Sequence, residues 1–429
     1  MTIYRAQVLD IPDDPFTGGT LRTDSDAGLR VVDGVITTRG PFAEVWRAYA
    51  GEDVVDLRRG ILLPGLVDTH VHYPQVRTIG ALGMPLLDWL EMSALPEEAK
   101  LASPAYAREV AQEFMDALIC AGTTSALVFG SHFATAMDAL FAEAGALGVR
   151  VTAGLVVSDR LLPQELLTTP NRSYEEAHGL IERWHGVGRL RYAVTPRFSY
   201  SAGDELLDAC AAVLKDVPAA WFTSHVNENP AEVAAVAALF EDAEHYVGTY
   251  DRHELVGDRT VLAHNVHATD NELALLAAQG AAVAHCPTSN AALGSGLFPL
   301  RGHVSHGVRV ALGSDVGAGT GFCLFKEGLQ AYFMQQLLGA DGLPLTGTHL
   351  LHLATRAGAL ALGMGDTVGD LSVDKQFDAI WVSPPVGDPL QVGLRHAASA
   401  DDALAKIFAL AVPADVAAVW IGGDQVKGA

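Results

Sequence analysis

Histidines and carboxylates recur in this chain at the ends of short apolar runs, and these residue types bind divalent metals and move protons. His70 and His72 close ILLPGLVDTHVH, His225 and Glu228 close AAWFTSHVNE, His264 closes TVLAHN, and Asp315 closes RVALGSD. Such placement puts imidazoles and a carboxylate at the C-terminal mouth of a parallel β-barrel, where one divalent metal could collect them from distant parts of the sequence. In a strand, residues i and i+2 face the same side, so His70 and His72 can share that ion. His225 and Asp315 supply the remaining protein ligands and leave an open position for water. Glu228, three residues beyond His225, can carry protons between the water and a substrate nitrogen, and His264 can support a developing oxyanion. The chemistry indicated is metal-dependent hydrolysis.

Taken singly, each residue has a plainer reading. The chain holds 16 histidines in 429 residues, enough for on the order of one chance His-x-His, so His70 and His72 alone could be core histidines. Asp315, ahead of Val-Gly-Ala-Gly, could cap the next helix, and Glu228 could be a first-turn glutamate favoured by the helix dipole. His267, His303, His306, His349 and His352 sit in helical or loop stretches without a matching carboxylate and read as surface or packing residues. A fourth apolar run ends in Thr195-Pro196-Arg197-Phe198-Ser199. There a cationic donor lies beside an aromatic face, a pairing that suits a flat polar heterocycle.

The elements that must position these residues follow from the pattern. Residues 1 to about 60 hold short β-type runs punctuated by Gly, Asp and Pro, with helical period only around Ala43–Ala50. From Ile61, apolar runs of strand length alternate with Ala/Leu/Glu-rich helical segments, the pattern of βα units and a parallel sheet. Eight strands are expected, at 61–70, 123–130, 150–158, 190–199, 219–226, 260–265, 281–287 and 309–315. Helices are expected at Pro104–Ala121, after Ser103, and at Asp270–Gln279, between Thr269 and Gly280. The stretch 73–103, with PLLDWL, is long for a βα connection and is expected to fold over the barrel mouth as a lid. After about Gly365 the pattern returns to strands. The fold class expected is α/β: a distorted (β/α)8 TIM barrel over 61–365, with a small β-sandwich-like domain formed by segments 1–60 and 366–429.

Composition permits this and narrows the partners. With 49% hydrophobic residues there is material for a large core, and the formal charge of −23 opposes binding to nucleic acid. MTIYRAQVLDIPDDP lacks the form of a secretory signal, and no apolar stretch approaches the roughly 18 residues of a membrane span, so a cytoplasmic protein is expected. Cys120, Cys210, Cys286 and Cys323 show no C-x-x-C pair and are expected to be buried and unpaired.

Over nearly its whole length the chain resembles the guanine deaminases of the amidohydrolase superfamily. PGLVDTHVHYPQ (64–75), PLLDWL (85–90), TPRFS (195–199), SHVNEN (224–229), LAHN (262–265), AHCPTSN (284–290) and LGSDVGAG (312–319) stand in that family's order and spacing. TPRFS is the most specific of them. The resemblance implies one zinc per chain on His70, His72, His225 and Asp315, with Glu228 shuttling protons, His264 assisting at the reacting carbon and Asp315 accepting a proton from the attacking water. Gln75, Arg197 and Phe198 would hold the purine with Trp89 closing over it, and His225, Glu228 and Asp315 would also line it. It implies hydrolysis of free guanine by water to xanthine and ammonia, and a homodimer. Two-metal relatives of this barrel often bridge their ions with a lysine from a middle strand. Here Lys215, the only lysine between Lys100 and Lys326, lies in the polar helical stretch AAVLKDVPA, which favours a single metal. Departures from the family pattern are Asp374 in a turn that usually carries glycine, Asn227 where Ser is common, and Val266-His267 after LAHN. Two other readings stay open: an amidohydrolase acting on another aminated heterocycle, such as a triazine or an adenosine derivative, and a non-catalytic scaffold.

Overall fold

Four strands open the chain: β1 (Thr2–Asp10), β2 (Arg22–Val32), β3 (Val35–Pro41) and β4 (Asp53–Pro64). The barrel strands are β5 (Leu66–His72), β6 (Thr123–Phe129), β7 (Arg150–Gly154) with the short β8 (Val156–Val157), β9 (Leu190–Pro196), β10 (Trp221–Val226), β11 (Thr260–His264), β12 (Ala282–His285) and β13 (Arg309–Leu312). β14 (Ala379–Val382), β15 (Val416–Ile421) and β16 (Asp424–Lys427) close the chain in this computed structural model, which describes residues 1–428.

β5 to β13 pair in parallel in chain order, with β8 as a side branch on β9. The ring is drawn together where the Asp315 N–H donates to the His70 carbonyl and the His72 N–H to the Val316 carbonyl, both at 2.9 Å. Every residue of β5, β6, β7, β10, β11 and β12 is buried. That is why these strands read as continuous apolar runs rather than alternating ones. Val67, Leu127, Ala193, Val261, Ala263, Ala282, Ala284 and Ala311 share one interior cluster with Trp221. The helix Arg356–Ala361 closes its floor, Gly358 lying against Val67 and the Leu362 carbonyl accepting from Arg191 at 2.8 Å. The C-terminal mouth is left for chemistry.

The terminal strands form one mixed sheet in the order β16-β15-β14-β4-β1-β2-β3. It curls on itself: Tyr4 of β1 stacks on Phe377 at 4.4 Å and meets Trp420 of β15 at 5.5 Å, across the two intervening strands. The sandwich-like character arises from that curl.

Two expectations are corrected at the β5 and β7 positions. The first barrel strand is Leu66–His72, not 61–70, because Ile61–Pro64 pair with Ala379–Val382 in the terminal sheet. A Cβ on Gly65 would lie 2.2 Å from Thr124 Oγ1, so glycine permits the tight passage between the sheets. The expected strand 150–158 is interrupted at Leu155. Both expected helices are present, as Pro104–Cys120 and Asp270–Gln279, the second held by a Thr269–Glu272 capping box and ended by Gly280 at φ 70°. All four cysteines are unpaired, but Cys120 is exposed and Cys323 half-buried, which corrects the expectation of burial. Cys120 is the last residue of its helix and faces Lys427, not the core. Among the described residues no helix is long and apolar enough to cross a membrane.

Candidate active site

A register shift in β5, between Asp68 and Val71, sets the site. Val67 packs inside the barrel and Val71 outside it. The irregularity reverses the alternation, so His70 and His72 both turn inward; bulges beside active sites commonly re-aim side chains in this way. His70 Nε2 and His72 Nε2 lie 3.1 Å apart, and His72 Nε2 lies 3.2 Å from His225 Nε2 at the end of β10. Asp315, just past β13, places Oδ1 3.3 Å from His70 Nε2 and 3.2 Å from His72 Nε2. His264, ending β11, stands one step back, its Nε2 3.4 Å from Glu228 Oε2 and 3.8 Å from Asp315 Oδ2. Ligand atoms of His70, His225, His264 and Asp315 all lie within 4.8 Å of one another, whereas the closest contacts run through His72. His264 (φ 73°) and Asp315 (φ 48°) both adopt left-handed backbone where the strands end. That conformation is costly outside glycine and gathers at functional sites.

Partners on the outer edges orient the rings. His225 Nδ1–H donates to the Arg197 carbonyl at 2.6 Å, which leaves its Nε2 lone pair facing the cluster. His264 Nδ1 meets Asn290 Oδ1 at 3.0 Å. Burial pushes the imidazoles of His70, His72 and His225 below their ordinary range, His72 to about 4, so the rings are neutral at pH 7. For Asp315 burial acts upward, but hydrogen bonds from His70 and His72 prevail and hold it well below the usual carboxylate range. Glu228 goes the other way: burial, then the nearby charge of Asp315, raise it well above its ordinary value. Two adjacent carboxyls whose environments drive them apart suit one base and one acid.

Gln75, Trp89, Arg197 and Phe198 line the same narrow cavity, with Leu86, Leu90 and Leu293. Segment 73–103 does cover the mouth: Leu86–Trp89 is helical, and Trp89 is 2% exposed. All the residues singled out from the sequence therefore converge, His264 behind the closest imidazoles rather than among them. His303 and His352 are packing groups, His303 Nε2 meeting Asn265 Nδ2 at 3.0 Å, whereas His267 is exposed and its Nε2 meets the Ser295 carbonyl at 2.7 Å. Lys215 lies in the helix Asp204–Asp216, away from the site. Two of the departures have local explanations. Asp374 takes φ 72°, the conformation glycine would favour, and Asn227 donates to Asn265 Oδ1 and Glu272 Oε1.

Sequence reasoning missed four residues. Glu98, fully buried, binds Arg197 and Gln75, and His132 approaches the same carboxylate. Ser295 Oγ donates to Glu228 Oε1 at 3.4 Å, and Asn290 orients His264. Glu98 sits in LPEEAK, a charged helical stretch that reads as solvent-facing. Asn290 lies within the AHCPTSN motif but had no role read from it.

A family model described as "Amidohydrolase family" matches residues 61–426. The chain is 58% identical over 432 residues to a Deinococcus radiodurans protein named "Probable guanine deaminase", covering 99% of this chain and 98% of that one. The structure superposes on that of "E. coli Guanine Deaminase" with a TM-score of 0.95 at 34% identity, covering all of both chains. It superposes on guanine deaminase from C. acetobutylicum "with bound guanine in the active site" with a TM-score of 0.90 at 26% identity, covering 99% of each.

Proposed function

The chain belongs to the amidohydrolase family, and from that premise we propose that it hydrolyses guanine to xanthine and ammonia. The observation that carries this reading is the meeting of two sets of groups in one cavity: Arg197, Phe198 and Gln75 on one side, the imidazole–carboxylate cluster and Glu228 on the other. The first suits the polar edge and face of a purine, the second a hydrolytic attack on it.

The donor set fits a metal. Three neutral imidazole nitrogens and an ionised carboxylate oxygen converge within 3.1–3.3 Å, and protons cannot satisfy three nitrogens that face one another. His70, His72, His225 and Asp315 would hold one zinc per chain, a composition suited to that ion. When bound, such a metal acidifies a water toward a pKa of about 7 and polarises the reacting centre. Asp315 is placed to take the proton from the attacking water as its oxygen bonds to C2. Glu228, whose burial and neighbouring charge favour the protonated form, is placed to give a proton to the ring nitrogen beside C2. His264, held by Asn290, faces both carboxyls and supports the developing charge. Asp315 then passes the water's proton to the exocyclic amine, the C–N bond breaks as ammonia leaves, and the C2 hydroxyl gives its remaining proton to Glu228, which restores both carboxyls. Phe198 and Trp89 shield the base from water on its faces. As part of this reading the protein works as a cytoplasmic homodimer.

The test is an ultraviolet assay of purified protein against guanine, adenine, cytosine and aminated triazines, with metal content and molecular size measured on the same sample. Turnover of guanine in preference to the others, close to one zinc per chain, loss of activity on chelation and a mass of two chains are expected. A triazine or adenine preference would overturn the substrate, and two tightly held metals per chain the mononuclear site.

A further inference from the structure

The guanidinium of Arg197 does not stand alone in the cavity. Its Nη1 donates to Oε1 and Oε2 of Glu98, at 2.9 and 2.7 Å, and both side chains are buried. The same carboxylate accepts from Gln75 Nε2 at 2.7 Å, while Gln75 Oε1 accepts from the Gly317 N–H at 3.0 Å. His132 Nε2 lies 3.3 Å from Glu98 Oε2. Glu98 comes from the helix Leu95–Ala99, part of the segment that covers the mouth, whereas Arg197 follows β9 and Gln75 follows β5. One buried carboxylate therefore ties together both polar side chains that face the base and the roof above them.

We propose that Glu98 is a specificity-determining positioning residue, which, braced by Gln75, holds the Arg197 guanidinium as a fixed fork of donors for the carbonyl edge of the purine. The inference rests on the guanine reading and deepens it. An arginine side chain is long and rotatable, and a buried cation needs a counter-charge. Glu98 supplies the charge and occupies only Nη1, so Nε and Nη2, which have no protein partner among the described residues, stay available to a ligand. A fixed fork rewards a carbonyl acceptor and penalises a base that lacks one, because its donors are then left unpaired. Glu98 also neutralises the guanidinium, so the recognition edge carries no net charge and suits a neutral base better than an anion.

The experiment separates this role from general support of the fold. Hypoxanthine and purine both lack the 2-amino group and cannot be turned over at C2; they differ at the 6-carbonyl edge. Their inhibition constants are measured with guanine as substrate for the wild type and Glu98→Gln, beside kcat and KM for guanine. In Glu98→Gln the constant for hypoxanthine and the KM for guanine should rise about 10- to 100-fold, the scale of one charge-assisted hydrogen bond. The constant for purine should move less than about 3-fold, and zinc content should not change. In an Arg197→Lys background, Glu98→Gln should add little, since the fork it holds is already gone. Equal weakening of both inhibitors, or a loss confined to kcat, would overturn the proposal. Should Glu98→Gln fail to fold, Glu98→Asp retains the charge but draws the carboxylate back by one methylene, and the same selective loss is required of it. A wild type that does not deaminate guanine would instead remove the functional reading on which this rests.

Discussion

Glu228 is the residue whose chemistry depends most on its surroundings. Its carboxyl is buried, accepts from Ser295 Oγ, and faces His264 and the charge of Asp315. Burial and that charge favour the protonated form, which suits the proposed role of giving a proton before taking one. Glu228→Gln keeps the volume and removes the transferable proton. The expected result is a loss in kcat of about 100- to 10,000-fold with bound metal and guanine affinity nearly unchanged. Near-normal turnover in a metal-loaded variant would assign the proton transfer to another group. Ser295, through its hydroxyl, and Asn290, through His264, hold the two partners in place, so the unit is larger than the residues that touch substrate.

At the scale of elements, the site depends on how closely β5 approaches the end of β13. Asp68 Oδ1 accepts from the Ser314 N–H at 3.0 Å, and Thr69 Oγ1 donates to the Leu312 carbonyl at 2.8 Å. Gly313 lies between them. A Cβ there would meet His70 Cβ at 2.9 Å, the His70 backbone nitrogen at 3.1 Å and Cys286 Sγ at 3.1 Å. Backbone cannot yield as a flexible side chain can, so Gly313→Ala should displace His70 and the metal with it. The variant is expected to bind markedly less zinc per chain and to lose activity in proportion, at a stability cost of about 1–3 kcal/mol. Gly257→Ala, where an added Cβ meets nothing within 4 Å, is the control and should stay within about 0.5 kcal/mol of the wild type. Full zinc occupancy in Gly313→Ala would show that β5 can shift without loss of the ligand geometry.

Across the whole molecule, barrel and terminal sheet are joined by a buried ion pair. Arg150, opening β7, donates Nε to Asp378 Oδ2 at 2.8 Å and Nη2 to Oδ1 at 3.1 Å, and Oδ1 also accepts from the Gly422 N–H at 2.7 Å. Removing one partner strands the other charge, so Asp378→Ala should lower stability by about 3–5 kcal/mol. The kcat measured well below the melting temperature should be retained, because the pair lies at the opposite end of the barrel from the chemistry. Loss of kcat in the folded variant would mean that the two sheets act on the site together. A pH dependence is built in elsewhere. Burial raises the Glu327 carboxyl from 4.5 to about 8, against two hydrogen bonds from Thr288. With a folded pKa above the unfolded one, its contribution is fully present below pH 4.5 and is lost as pH rises through about 8. Over that window the slope contributed is up to about 1.4 kcal/mol per pH unit. Thermal melts from pH 5 to 9 should show a decline that Glu327→Gln makes shallower; an unchanged slope would place the titration in another group.

Much of this protein was legible along the chain because its strands are short, buried on both faces and end in the residues they present. The runs closed by His70-Val71-His72, His225, His264 and Asp315 mark the barrel mouth, and Arg197-Phe198 another wall of its cavity, without any knowledge of packing. Parallel strands cannot alternate polar and apolar residues, so the boundary of each run and its terminal polar residue are visible together. The contacts that no linear pattern encodes were decided by tertiary structure. Ile61–Pro64 read as barrel strand, yet their partner lies at Ala379–Val382. Glu98 reads as a solvent-facing helical charge because its counter-charge, Arg197, is 99 residues away. Only the closed barrel brings that distant guanidinium to it, and only there do burial and neighbouring groups push the carboxyls of Asp315 and Glu228 in opposite directions.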